Sequence, residues 1–102
     1  MAEAALADKG KVFFRSYGCG LCHGWDGQGD GINAQSYRPA PTNFSNPNTY
    51  FHGKDRDSLR RSIRYGIKED NSIMPAFDDI PPEEIEAIID YLQSLSLQGQ
   101  AR

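Results

Sequence analysis

The chain has 102 residues, of which 38% are hydrophobic and 25% charged, with a net charge of −3. That is enough for a single domain over residues 1–102 with a thin apolar core, and the negative balance argues against nucleic acid as a partner. No run of about eighteen apolar residues occurs, so no membrane span is expected. Met1-Ala-Glu-Ala-Ala-Leu also lacks the basic start and long apolar stretch of a signal peptide.

The first predicted helix covers Glu3 to Tyr17, with Leu6, Val12, Phe13 and Phe14 as its apolar members. Gly10 inside it costs about 1 kcal/mol relative to alanine, which suggests that another backbone approaches closely there. Gly18 ends the helix. From Gly24 to Asn48, glycine and proline are dense enough to deny regular structure. So long a loop in a small domain needs a body to lie against. A short helix is predicted from Asp57 to Gly66, capped by Ser58 or Asp57, with Leu59 and Ile63 as an i, i+4 apolar pair. Ile73 to Phe77 forms an apolar patch in a loop. The last helix runs from Pro82 to about Leu97, where Ile85, Ile88, Ile89, Leu92 and Leu95 trace one stripe. Residues Gln98 to Arg102 are expected to fray. No segment alternates convincingly as a strand, so the expected class is all-α.

Between the first helix and the long loop stands Cys19-Gly20-Leu21-Cys22-His23. This C-x-x-C-H spacing is the attachment signature of a c-type haem: each thiol adds across one vinyl group, and the next residue offers an imidazole to the iron. A thioredoxin-like pair would want a strand before the motif and a helix after it, whereas a helix precedes and a glycine-rich loop follows. A zinc site would need a fourth ligand, with His52 the one spare imidazole. Haem is the favoured reading.

A haem iron held by His23 has a second axial position. Apart from Met1, Met74 is the sole methionine, and it lies in an apolar stretch stiffened by Pro75. A thioether is a soft neutral ligand that favours ferrous iron and raises the reduction potential. His52 is the lesser candidate. The run from Asp26 to Gly31 half resembles a calcium loop, but the twelfth position is Tyr37 where a glutamate should stand. Asn43-Phe-Ser matches a glycosylation acceptor, a pattern frequent by chance.

On these residues the chain resembles a class I (monohaem) cytochrome c over most of its length. The resemblance implies an all-α fold of about four helices, with long loops wrapped around one covalent haem c. It makes Cys19 and Cys22 the thioether attachments, His23 the proximal ligand and Met74 the distal ligand. In that family a glycine and an aromatic on the first helix pack against an aromatic on the last, as Gly10 and Tyr91 would. The spacing from Gly10 to Cys19 is one residue longer than the family's, so the partner is Phe13 or Phe14. The family's proline carbonyl, acceptor of the proximal imidazole N–H, falls to Pro39 or Pro41. Arg38 is a candidate partner for a haem propionate, because guanidinium pairs bidentately with carboxylate. The loop from Cys22 through Arg-Pro-Ala-Pro-Thr-Asn-Phe resembles bacterial domains associated with oxidases and dehydrogenases.

With both axial positions filled by protein, the iron would pass one electron and bind no substrate, as in a carrier and not an enzyme. The expected partners are a redox donor and an acceptor, possible association with a membrane respiratory complex among them, and the carrier is expected to be a monomer. The alternatives are the haem domain of a larger enzyme complex, a peroxidase, or a five-coordinate gas-binding protein. Arg56, Arg60, Arg61, Arg64 and Lys68 stand on one segment, while Asp78, Asp79, Glu83, Glu84, Glu86 and Asp90 stand on another. That pattern is either a dipole able to steer docking or two solvated helix faces. Thioether attachment, by the family resemblance, places the domain in the periplasm or an equivalent compartment. Without haem the chain is expected to be largely unfolded.

Overall fold

A computed structural model describes residues 2–34, 41–46, 55–69 and 72–100. Four helices dominate it: α1 (Ala2–Ser16), α2 (Gly20–His23), α3 (Arg56–Tyr65) and α4 (Pro82–Gln100). Between α3 and α4 runs a small antiparallel hairpin, β1 (Ile67–Glu69) and β2 (Ser72–Met74), with Ile67 opposite Met74. The hairpin was not expected. Strands of three residues are too short to show alternation, and Met74 therefore ends a strand where a loop was predicted.

The core forms where α1 crosses α4. Ile85, Ile88, Ile89, Leu92 and Leu95 of α4 are all buried, as their 3.6-residue spacing dictates, together with Phe14 of α1 and Leu59 and Ile63 of α3. Of the other apolar residues assigned to α1, Phe13 packs at the margin of this core, but Val12 stays 61% exposed on the opposite face. The crossing depends on Gly10. A Cβ built there would overlap the carbonyl of Ala87 and come within 2.9 Å of Tyr91 Cβ, so no side chain fits between the two helices. One turn on, Phe14 meets Tyr91 edge to face, ring centroids 5.4 Å apart at 63°. Phe14, and not Phe13, is the interface aromatic. Tyr17 then closes the end of the pair, its hydroxyl donating to Glu84 Oε1 at 2.6 Å.

Helix α3 begins one residue earlier than predicted, and its cap differs. Asp55 accepts from Ser58 N at 3.1 Å and from Ser58 Oγ at 2.6 Å, so the capping side chain is Asp55 in place of Ser58 or Asp57. Gly66 ends it at φ +75°. Helix α4 continues to Gln100, past the point where fraying was expected.

The basic and acidic segments are not separate poles. Arg60 binds both carboxylate oxygens of Glu86, at 2.6 Å each, while Arg56 reaches Glu86 at 3.1 Å and Asp90 at 2.6 Å. These opposite charges face one another across the α3–α4 contact and fasten the two helices together. Of the two readings of these charges, a steering dipole or two solvated helix faces, neither includes this pairing of Arg56 and Arg60 with Glu86 and Asp90.

Candidate functional site

Helix α2 is a single turn whose purpose is legible in its residues. Cys19 sits at its N-cap in helical conformation, anchored by its N–H to the Phe14 carbonyl at 3.1 Å, so the motif hangs directly from the end of α1. One turn then brings Cys19 and His23 together: the His23 N–H donates to the Cys19 carbonyl at 3.0 Å. Neither Cys19 nor Cys22 is disulfide-bonded. Cys19 packs against the core, and burial pushes its thiol up to about 11.

His23 is held from two directions by one short segment. Its Nδ1 lies 3.2 Å from the carbonyl oxygen of Thr42. A carbonyl can only accept, so Nδ1 carries the proton and Nε2 keeps a free lone pair, the tautomer that a metal ligand needs. Two residues later the Phe44 ring packs against the imidazole, centroids 4.7 Å apart and tilted by 37°. Desolvation lowers the imidazole's pKa, against the opposing effect of the Thr42 bond. Phe44 is itself buried and stands edge-on to Phe14, 6.2 Å away at 81°, which joins the proximal side to the α1–α4 crossing.

The acceptor carbonyl corrects the sequence-based assignment. Pro41 was one of two candidates, but its carbonyl faces Gly29, at 2.7 Å from a Cβ built there, while the next carbonyl, that of Thr42, meets the imidazole. Pro39, Arg38 and His52 lie outside the described residues. Thr42 and Phe44 were not singled out beforehand. A backbone acceptor leaves no mark in a sequence, and Phe44 is one of three aromatics in its loop, with Trp25 and Tyr37.

Met74 ends β2, half-buried, and packs against the same core that Phe44 enters. The donor set fits a covalent haem: two free thiols, Cys19 at the N-cap of α2 and Cys22 within it, and an imidazole whose Nδ1 is held by the Thr42 carbonyl so that Nε2 is left for a metal. Among the described residues no cluster of three or more His, Cys, Asp or Glu could hold a metal ion by itself.

The family profile described as Cytochrome c matches residues 7–96. The chain belongs to the cytochrome c family. Its cofactor is covalent haem c, attached through the C-x-x-C-H cysteines Cys19 and Cys22, and its role is haem-based electron transfer. The domain is similar to cytochrome c oxidase subunit 2 of Alkalihalophilus pseudofirmus, at 34% identity over 97 residues, covering 90% of this chain and 26% of that protein. It is also similar to a chain of the Kuenenia stuttgartiensis reducing HAO-like protein complex, with a TM-score of 0.68 at 26% identity, covering 92% of this chain and 44% of that one. This cytochrome c domain thus spans about a quarter of one relative and less than half of the other. No helix among the described residues is long and apolar enough to cross a membrane.

Proposed function

We propose that this domain is a one-electron carrier whose haem c is six-coordinate, with His23 Nε2 and the Met74 thioether as axial ligands. The observation that carries the reading is the placing of Met74. The only methionine after Met1 is set half-buried against the core that also packs the proximal side. When bound, haem supplies the one-electron ferric–ferrous couple. The chain's residues do the rest: Thr42 and Phe44 fix the imidazole, and the packed core limits movement as charge changes. A site filled by two protein ligands leaves no place for substrate, which favours carrier over enzyme.

The names of the two relatives support a respiratory setting with a redox donor and acceptor, in which this domain serves as one part of a larger assembly. The thioether attachment of this family supports an extracytoplasmic compartment such as the periplasm. The test is spectroscopic. The ferric holoprotein should show a weak far-red sulfur-to-iron band, and the ferrous form should exclude carbon monoxide. Met74→Ala should abolish the band and admit carbon monoxide; an unchanged spectrum would remove Met74 from the iron.

A further inference from the structure

Between α3 and Met74 lies one residue that the proposed ligation leaves unexplained. Gly66 ends α3 at φ +75° and ψ −178°, a backbone region that is essentially closed to every residue with a side chain. The space around it is closed as well. A Cβ there would overlap the carbonyl oxygen of Met74 and approach Ala76 N to 3.0 Å and Pro75 C to 3.1 Å. All three atoms belong to backbone, which has no flexible end that could swing aside. The same junction is bonded on both sides: Gly66 N–H donates to the Ser62 carbonyl at 2.9 Å, and Phe77 N–H donates to the Ile63 carbonyl at 2.9 Å. The Met74–Pro75–Ala76 backbone is therefore seated directly on the last turn of α3, with Gly66 as the contact surface.

We infer that Gly66 is a positioning residue for Met74, setting where the thioether stands by letting the backbone that bears it rest against α3. The inference rests on Met74 being the distal ligand. Any side chain at position 66 displaces the Met74 backbone, and the sulfur with it, while the thioethers and His23 on the other side of the site are untouched. Helix α3 becomes a mount. Its fastening to α4 through Arg56 and Arg60 fixes the helix, and Gly66 passes that position on to the ligand.

The experiment compares four holoproteins: wild type, Gly66→Ala, Met74→Ala and Ile89→Val. The last trims a buried residue of α4 and serves as a control for general destabilisation. The readouts are the ferric far-red band, carbon monoxide binding to the ferrous form, reduction potential and the helical signal in far-ultraviolet circular dichroism. Gly66→Ala should keep its covalent haem and helical signal, yet shift the balance between ligated and open iron by about tenfold or more towards open. It should also have a lower potential. Ile89→Val should melt earlier but keep the band below its melting temperature. If Gly66→Ala retains the band and excludes carbon monoxide while Met74→Ala opens the site, the positioning role is overturned and the ligand assignment stands. If Met74→Ala leaves the spectrum unchanged, the ligand assignment itself falls. If Ile89→Val loses the band as fully as Gly66→Ala, the effect is general and the inference fails. Should Gly66→Ala yield no folded holoprotein, hydrogen exchange on the wild type decides. The amides of Gly66 and Phe77 should open at the rate at which imidazole captures the iron, and capture with those amides still protected overturns the inference.

Discussion

Arg60 grips Glu86 with both arms of its side chain, Nε to Oε2 and Nη2 to Oε1, each at 2.6 Å. The two residues lie 26 positions apart on different helices, so this fork is a tertiary fastening of α3 to α4.

Its pH dependence follows from Glu86. The hydrogen bonds from Arg60, followed by those from Arg56, hold the carboxyl at about 2, against an ordinary value of 4.5. A carboxyl depressed on folding stabilises the fold above its unfolded pKa and loses that contribution as pH falls through the folded one. Stability should thus decline between pH 4.5 and about 2. Because the Glu86 side chain is 38% exposed, solvent screening limits the contribution to ~1 kcal/mol. Glu86→Gln should melt lower at neutral pH and show a shallower loss in this acid window, as followed by thermal melts at several pH values.

At the helix crossing, Gly10→Ala should be costly although it adds one methyl group. The new Cβ lands on the Ala87 carbonyl, and the helices must separate. Overpacking of this kind costs about 1–3 kcal/mol, or about 4–8 °C of melting temperature per kcal/mol in a domain of this size. Differential scanning calorimetry of the holoprotein measures it.

Phe44 joins His23 to the core, so its removal should act on both. Phe44→Ala should cost about 3–5 kcal/mol as a buried aromatic truncation. Phe44→Leu should restore much of the stability but not the ring contact with the imidazole. Nuclear magnetic resonance of the ferric form, where ligand orientation sets the shifts of the haem methyl groups, should still differ from wild type in Phe44→Leu.

The haem-free chain, made by replacing Cys19 and Cys22 with serine, should lose its cooperative thermal transition. A core this small stands close to the limit at which a domain folds alone. Circular dichroism with native helical content and a sharp melt would contradict this.

Much of this structure was legible in the residues. The stripe on α4, the stop at Gly18 and Gly66, and the crowded place of Gly10 each rest on local physics: periodicity, backbone conformation and missing volume. The attachment motif was equally plain, since its chemistry is set by side chains at fixed spacing. What could not be read depends on which groups distant in sequence meet in the fold. The Thr42 carbonyl has no side-chain signature, and Pro41, one residue before it, was the nearest that reasoning by pattern could come. Likewise Arg56, Arg60, Glu86 and Asp90 were visible as charges, but only the packing of α3 on α4 shows that they neutralise one another.

The crossing of α1 with α4 is also a contact of long sequence separation, made between the first and last described helices. Cys19 to His23 emerge during synthesis some sixty residues ahead of α4, the element that buries Phe14 and meets Gly10. A chain shortened before α4 would leave Phe14 and Gly10 without the partners they pack on.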